Sequence, residues 1–235
     1  MNNKITFIPA TREVELLVPP PKPAKLSIPE WFKNVPAVNE KNLTVDEGGI
    51  PDVNIKNCIP FFDIFTSGYI QETWVDIYIE EDMGGDIVYN QSSTNAPKIM
   101  SDRYKSFMPI KDYFYDFEFI WFQSWMPKLP DGYSCLFLDP INRVESPFYT
   151  TSAVVDSDKM NYSSGGNVPF YIKKGFKGLI PAGTPMYQMI PIKRDSWQGE
   201  SMKFDEIEAT KMEYNIKRFF YGGYKKLHWI KKDYS

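Results

Sequence analysis

The chain has 235 residues, a net charge of −3, one histidine and two cysteines, with aromatic residues making up 16% of it. One histidine excludes a two- or three-histidine metal centre within the chain, and two cysteines exclude a four-thiolate zinc site or a multi-bridge disulfide scaffold. The near-neutral charge favours neither nucleic acid nor an acidic ligand as a global partner.

A mean hydropathy of −0.39 and the lack of any apolar run near eighteen residues argue against a transmembrane helix. The first residues, Met-Asn-Asn-Lys-Ile-Thr-Phe, carry no apolar signal region. Cys58 and Cys135 lie in apolar surroundings and are expected to be free, buried thiols of a reducing compartment.

In chain order, residues 4–8 and 13–18 read as short strands around an Ala-Thr-Arg turn. Pro19, Pro20, Pro21 and Pro23 impose a polyproline stretch, either a stiff connector on the domain surface or a P-x-x-P ligand. Ser27-Ile-Pro-Glu30 has capping-box spacing and opens a short helix with Trp31 and Phe32 that ends before Pro36. Residues 36–54 read as loop. Pro60 suits a second helix start, Phe61, Phe62, Ile64 and Phe65 its buried face, and Gly68 its C-cap.

Residues 69–80 switch to strand chemistry. Asp82 to Asp86 make a turn, and Ile87-Val88-Tyr89 is the return strand of a hairpin. The acidic tip, Glu80, Glu81, Asp82 and Asp86, is a solvated turn or a calcium site, although it lacks the alternating oxygen ligands of a calcium loop.

Residues 114–125 are the most aromatic segment. Phe117, Phe119 and Trp121 alternate with Glu118 and Ile120, so the segment reads as a core strand or, alternatively, a stacking surface. Further strands are expected at 133–138, after the Pro130-Asp-Gly132 turn, and at 149–155, 168–173, 176–180 and 186–192. Ile207, Met212, Ile216, Phe219 and Phe220 have near-helical spacing, stopped by Gly222-Gly223. The expected architecture is mainly β: a sandwich or β-clip/barrel-like body over 1–200 with short N-terminal helices, and a C-terminal amphipathic helix in 201–235.

Three constellations carry candidate chemistry. Asp156-Ser157-Asp158 ends a strand; a turn there either caps backbone amides or brings two carboxylates together to hold Mg²⁺ or activate water. In the tail from residue 211, seven basic residues face two acidic ones, and they interleave with aromatics. Lys217, Arg218, Tyr221, Lys225 and Trp229 are the candidate partner-binding residues. The tail is either a helix docked on its own protein or a single-strand nucleic-acid surface. His228, between Leu227 and Trp229, reads as a partly buried structural histidine.

The order Gly132-Tyr-Ser-Cys-Leu-Phe137, Ala153-Val-Val-Asp-Ser-Asp158, Ile180-Pro-Ala-Gly-Thr-Pro185 and Gln188-Met-Ile-Pro191 resembles trimeric dUTPases and dCTP deaminases over residues 130–194. The resemblance implies a β-clip fold with Asp156 as base, Asp158, Tyr162 and Gln188 at the ligand, and Mg²⁺ as cofactor. The chain departs from it at Asp139-Pro-Ile-Asn-Arg143, where the Arg-Ser-Gly phosphate motif should stand. Tyr162 also comes three residues late, and no Gly-rich phosphate arm follows unless Gly222-Gly223 serves.

A wider resemblance rests on Ser27-Ile-Pro-Glu-Trp-Phe-Lys-Asn-Val-Pro36, Ile55-Lys-Asn-Cys-Ile-Pro-Phe-Phe-Asp63, Gly132-Tyr-Ser134 and Ile180-Pro-Ala-Gly-Thr-Pro-Met-Tyr-Gln-Met-Ile-Pro191. These are similar to a family of proteins of tailed phages (marine and cyanophage types) related to DUF6065. The resemblance implies a phage-type origin, in host cytoplasm or virion, without implying a reaction. The reading that follows is a non-enzymatic structural or interaction protein needing no cofactor. It associates with itself or with other virion proteins through aromatic surfaces, with nucleic acid a further candidate partner for the tail. The alternative is a dUTPase-like nucleotide-binding protein or Mg²⁺-dependent pyrophosphatase.

Overall fold

A computed structural model describes residues 3–37, 54–83, 87–91, 112–115, 118–159, 166–219 and 222–235. The chain forms two compact units, Met1–Ser27 with Gly68–Arg194, and Ile28–Ser67 with Asp195–Ser235.

The first unit is built of strands. It begins with β1 (Thr6–Pro9), a short helix α1 (Arg12–Leu17) and the two-residue β2 (Lys22–Pro23). The helix corrects the strand expected at 13–18. Glu-Val-Glu-Leu-Leu-Val satisfies a period of two, but Thr11 decides the outcome, because its side chain accepts the Val14 amide as an N-cap. Val14 and Val18, one helical turn apart, are then the buried pair, packed on Trp125. The proline stretch supplies an edge strand, where a missing amide does no harm, and β2 pairs with residues 69–70.

The second unit holds α2 (Glu30–Asn34) and α3 (Ile59–Thr66). The capping box expected at Ser27 does not form: Ser27 Oγ donates to Glu72, and Pro29 takes the N-cap position without a side-chain bond. Trp31, Phe32, Phe61 and Phe65 cluster edge-on and tilted, with Phe32 and Phe65 centroids 4.7 Å apart. Cys58, the residue before α3, is exposed rather than buried, whereas Cys135 is buried with its thiol pushed up to about 12 by desolvation; both are free.

The first unit resumes at Gly68, which sits at φ +73°, and a Cβ there would lie 2.0 Å from the Met189 carbonyl oxygen. Only glycine fits, in conformation and in space. β3 (Tyr69–Glu72) and β4 (Ile77–Glu81) replace the single strand expected over 69–80, and β4 with β5 (Ile87–Gln91) makes the expected hairpin. The aromatic segment divides into β6 (Phe119–Phe122) and β7 (Trp125–Lys128) around buried Gln123 and Ser124. β8 (Tyr133–Leu138) has the expected bounds and follows Gly132 at φ +84°. The strand expected over 149–155 is broken into β9 (Phe148–Thr150) and β10 (Ala153–Val155). β11 (Asn167–Ile172), β12 (Gly178–Ile180) and β13 (Pro185–Lys193) complete the unit.

The protein is mainly β. All pairings are antiparallel, and the described strands form open sheets, none closed into a barrel. Their orders are β10-β8-β13-β3-β2, β6-β11-β9, β12-β4-β5 and β1-β7. The core of the second sheet is aromatic: Trp121 stacks on Phe170 at 3.7 Å and meets Phe148 edge-on at 5.1 Å, all three buried. The segment 114–125 thus supplies core residues through Phe119, Ile120 and Trp121; Phe117 lies outside the described residues.

In the second unit, α4 (Glu206–Lys217) is capped by Asp205, which accepts the amides of Ile207 and Glu208, and α5 (Gly223–Leu227) opens at Gly222 in the left-handed region. No residue of α4 is buried. Among the described residues no helix is long and apolar enough to cross a membrane.

Candidate functional site

The strand ends at β8, β10 and β13 converge on the expected carboxylates. The turn Asp156-Ser157-Asp158 directs the two Asp side chains to the same partner, the Arg194 guanidinium just past β13. Nη1 donates to Asp156 Oδ1 at 3.1 Å and to Asp158 Oδ1 at 2.9 Å, and Nη2 donates to Asp158 Oδ2. The same Nη1 lies 3.1 Å from the Tyr133 carbonyl and 3.2 Å from Ser134 Oγ. Ser134 Oγ donates to Asp156 at 2.7 Å, and the Gly132 amide donates to Asp158 at 2.9 Å.

Asp158 is enclosed, its side chain 0% exposed, while that of Asp156 is 65% exposed. The Arg194 hydrogen bonds hold the Asp158 carboxyl well below the usual carboxylate range; burial opposes them, and the Gly132 amide adds to them. The cation between the two carboxylates is a guanidinium, which ties three strands at one corner. Among the described residues no group of three or more His, Cys, Asp or Glu is arranged to hold a metal ion.

Gln188 belongs to a second cluster. It is buried in β13, and its Oε1 accepts the Ile141 amide at 3.3 Å. Nearby, Asp139 accepts the Thr150 amide at 2.8 Å. Burial raises the Asp139 carboxyl to about 6, against the Thr150 bond and the charges of Lys173 and Arg143. The segment departing from the phosphate motif is therefore a built turn: Asn142 sits at φ +58°, and Arg143 donates to the Ser27 carbonyl. Tyr162 lies outside the described residues.

Two adjoining hollows of about 480 and 330 Å³ share Glu145, Ser146, Pro147, Pro181 and Thr184. They form one groove between the 143–147 loop and the 181–184 turn. Its walls are apolar at Phe176 and Leu179 and cationic at Arg143, Lys173 and Lys174. The Asp156–Asp158 corner is not part of its lining.

No family model, curated protein or solved structure matches this chain. What the molecule can do is therefore read from its own side chains.

In the tail, Trp229 Nε1 donates to both carboxylate oxygens of Asp63 in α3, at 3.0 and 2.9 Å, and Lys232 pairs with the same carboxylate at 2.5 Å. Lys225 lies over the Trp229 ring at 5.7 Å, Arg218 over Phe219 at 4.9 Å, and Lys217 pairs with Glu213. Tyr221 is outside the described residues, and His228 is exposed rather than partly buried. At the hairpin tip, Glu81 pairs with Lys177 at 3.0 Å; Asp86 is not among the described residues.

Sequence reasoning missed two features. One is Arg194, whose partners lie 36 and 38 positions away; its only signal was a cation ending an apolar strand. The other is the segment 195–205, exposed throughout, in which Trp197, Met202 and Phe204 are 89%, 87% and 83% exposed. Three large apolar side chains within eight residues, outside any strand or helix, were its signal.

Proposed function

We propose that this chain is a non-enzymatic structural or interaction protein, of the tailed-phage kind its sequence resembles, that self-associates through the arm formed by residues 195–217. The observation that carries the reading is the arm itself. Trp197, Met202 and Phe204, and then Ile207 and Tyr214 on α4, are exposed, while the rings of Phe119, Trp121 and Phe170 are buried. Exposing such side chains has no stabilising role in a monomer, whereas aromatic residues and methionine are the types enriched at interfaces. Arg194 supports the reading as well, because its ties to Asp156 and Asp158 and its amide bond to the Gly132 carbonyl at 2.8 Å fix the point where the arm departs.

The test is sedimentation velocity of the full chain over a hundredfold range of concentration, beside the variant Trp197→Ser/Met202→Ser/Phe204→Ser. Concentration-dependent assembly of the native chain and its loss in the variant are expected. A native chain that stays monomeric would overturn the reading. Release of pyrophosphate from dUTP with Mg²⁺, abolished by Asp156→Ala, would favour the nucleotide reading in its place.

A further inference from the structure

We infer that the arm of one copy docks in the groove between the 143–147 loop and the 181–184 turn of a second copy, so that assembly runs head to tail; this rests on the self-association proposed above. Three observations converge on it. The first is chemistry: residues 195–208 of the arm carry Asp195, Glu200, Asp205, Glu206 and Glu208 against one Lys203, with Trp197, Met202 and Phe204 between them. The groove offers the complement, apolar walls at Phe176 and Leu179 beside Arg143, Lys173 and Lys174, with Glu145 the acidic residue of its lining. Apolar anchors ringed by matched charge set both affinity and partner choice.

The second observation is the backbone. Among the described strands β12, which carries the 47%-exposed Leu179, pairs with β4 alone and forms one edge of its sheet. A segment without secondary structure of its own, such as 195–205, can add to such an edge by main-chain hydrogen bonds, with Met202 and Phe204, two positions apart, entering the hollow from one face.

The third is placement. Arg194, the root of the arm, follows the C-terminal end of β13, whereas Thr184 and Pro185 of the groove stand at its N-terminal end. Nine residues of strand separate these ends by roughly 27 Å at about 3.3 Å per residue. The root of the arm and the groove thus stand at opposite ends of one strand, and the arm and the groove are made of different residues. A contact between them is heterologous, and it propagates into a ring or a filament rather than stopping at a two-fold dimer.

The experiment uses three full-length proteins: the native chain, the arm variant Trp197→Ser/Met202→Ser/Phe204→Ser, and the groove variant Lys174→Glu/Leu179→Asp, each checked for fold by circular dichroism. In sedimentation velocity the native chain should grow beyond a dimer, and each variant alone should associate at least tenfold more weakly. Mixed in equal amounts, they should form a one-to-one dimer that grows no further, since one donor and one acceptor survive. Native-like assembly of the groove variant beside a monomeric arm variant would overturn the groove while leaving self-association standing. Native-like assembly of both would overturn self-association through the arm itself.

A second measurement covers failure of the groove variant to fold. A photoreactive side chain replaces Phe204 in a mixture of ¹⁴N- and ¹⁵N-labelled chains, and cross-linked peptides are mapped by mass spectrometry. Cross-links to residues 173–181 between differently labelled chains are expected. Cross-links confined to one chain, or to another surface, would overturn the inference.

Discussion

Trp121 and Trp197 are the same residue type in opposite situations. Trp121 in β6 is fully buried, stacked on Phe170 and braced by Phe148. Trp197, three residues past the Arg194 corner, is 89% exposed. One ring is consumed in holding the fold together; the other contributes little to the fold of a single chain and is available to a partner. Aromatic content, the most conspicuous feature of the composition, is thus divided between a packed core and an exposed arm, for which we propose a role in self-association. Their boundary lies at Arg194, whose ion pair with the buried Asp158 ends the β-rich unit.

The largest expected effect tests the buried side of this contrast. Trp121→Ala should destabilise the fold by about 3–5 kcal/mol, because a large ring is removed from a packed core that cannot collapse around the gap. Chemical denaturation followed by circular dichroism measures it, and a loss below about 1 kcal/mol would break the distinction drawn here.

A second expectation concerns Asp139. Its folded-state carboxyl is raised to about 6, above the ordinary value, so folding is favoured most below the ordinary carboxylate range. That contribution is lost as pH rises towards about 6. Asp139→Asn retains an acceptor for the Thr150 amide and removes the buried charge. It should raise stability at about pH 8, by at most about 3 kcal/mol, and have little effect below about pH 4. Thermal melts across pH would show this; an equal effect at both ends would contradict it.

Asp158 has the opposite sign. Its folded-state carboxyl is lowered, so its contribution is complete above the ordinary carboxylate range and is lost as pH falls through the lowered value. Asp158→Asn should lower the melting temperature at neutral pH and flatten the fall in stability on the acid side. The exposed Asp156 should matter less in the same assay. A larger loss in Asp156→Asn than in Asp158→Asn would contradict the geometry of the corner.

The smallest effect on stability belongs to the arm. Trp197→Ser should leave unfolding unchanged to within about 0.5 kcal/mol while weakening self-association.

Legibility in the sequence followed the range of the forces involved. β8 was readable to its ends because a Pro-Asp-Gly turn and an apolar run are local signals. Gly68 was readable as a helix stop, although its second role, close approach to the Met189 carbonyl, is a tertiary fact. Residues 13–18 were misread because Glu-Val-Glu-Leu-Leu-Val fits either period, and one cap hydrogen bond from Thr11 settles the matter. The candidate carboxylates at 156 and 158 were legible as a pair. Their shared partner was not, because Arg194 meets them only after β13 has paired with β8 and β8 with β10. Cys58 and His228 were expected to be covered on the strength of apolar neighbours, yet both are exposed, because the neighbours of a residue in sequence are not its neighbours in a short helix or at a helix end.

Hydrogen exchange of residues 195–217 at low and high protein concentration tests self-association through the arm directly. The 195–205 amides should exchange fast at low concentration and be markedly protected at high concentration, with the amides of β8 and β13 protected equally at both. Assembly that proceeds while 195–205 keeps exchanging fast would contradict it.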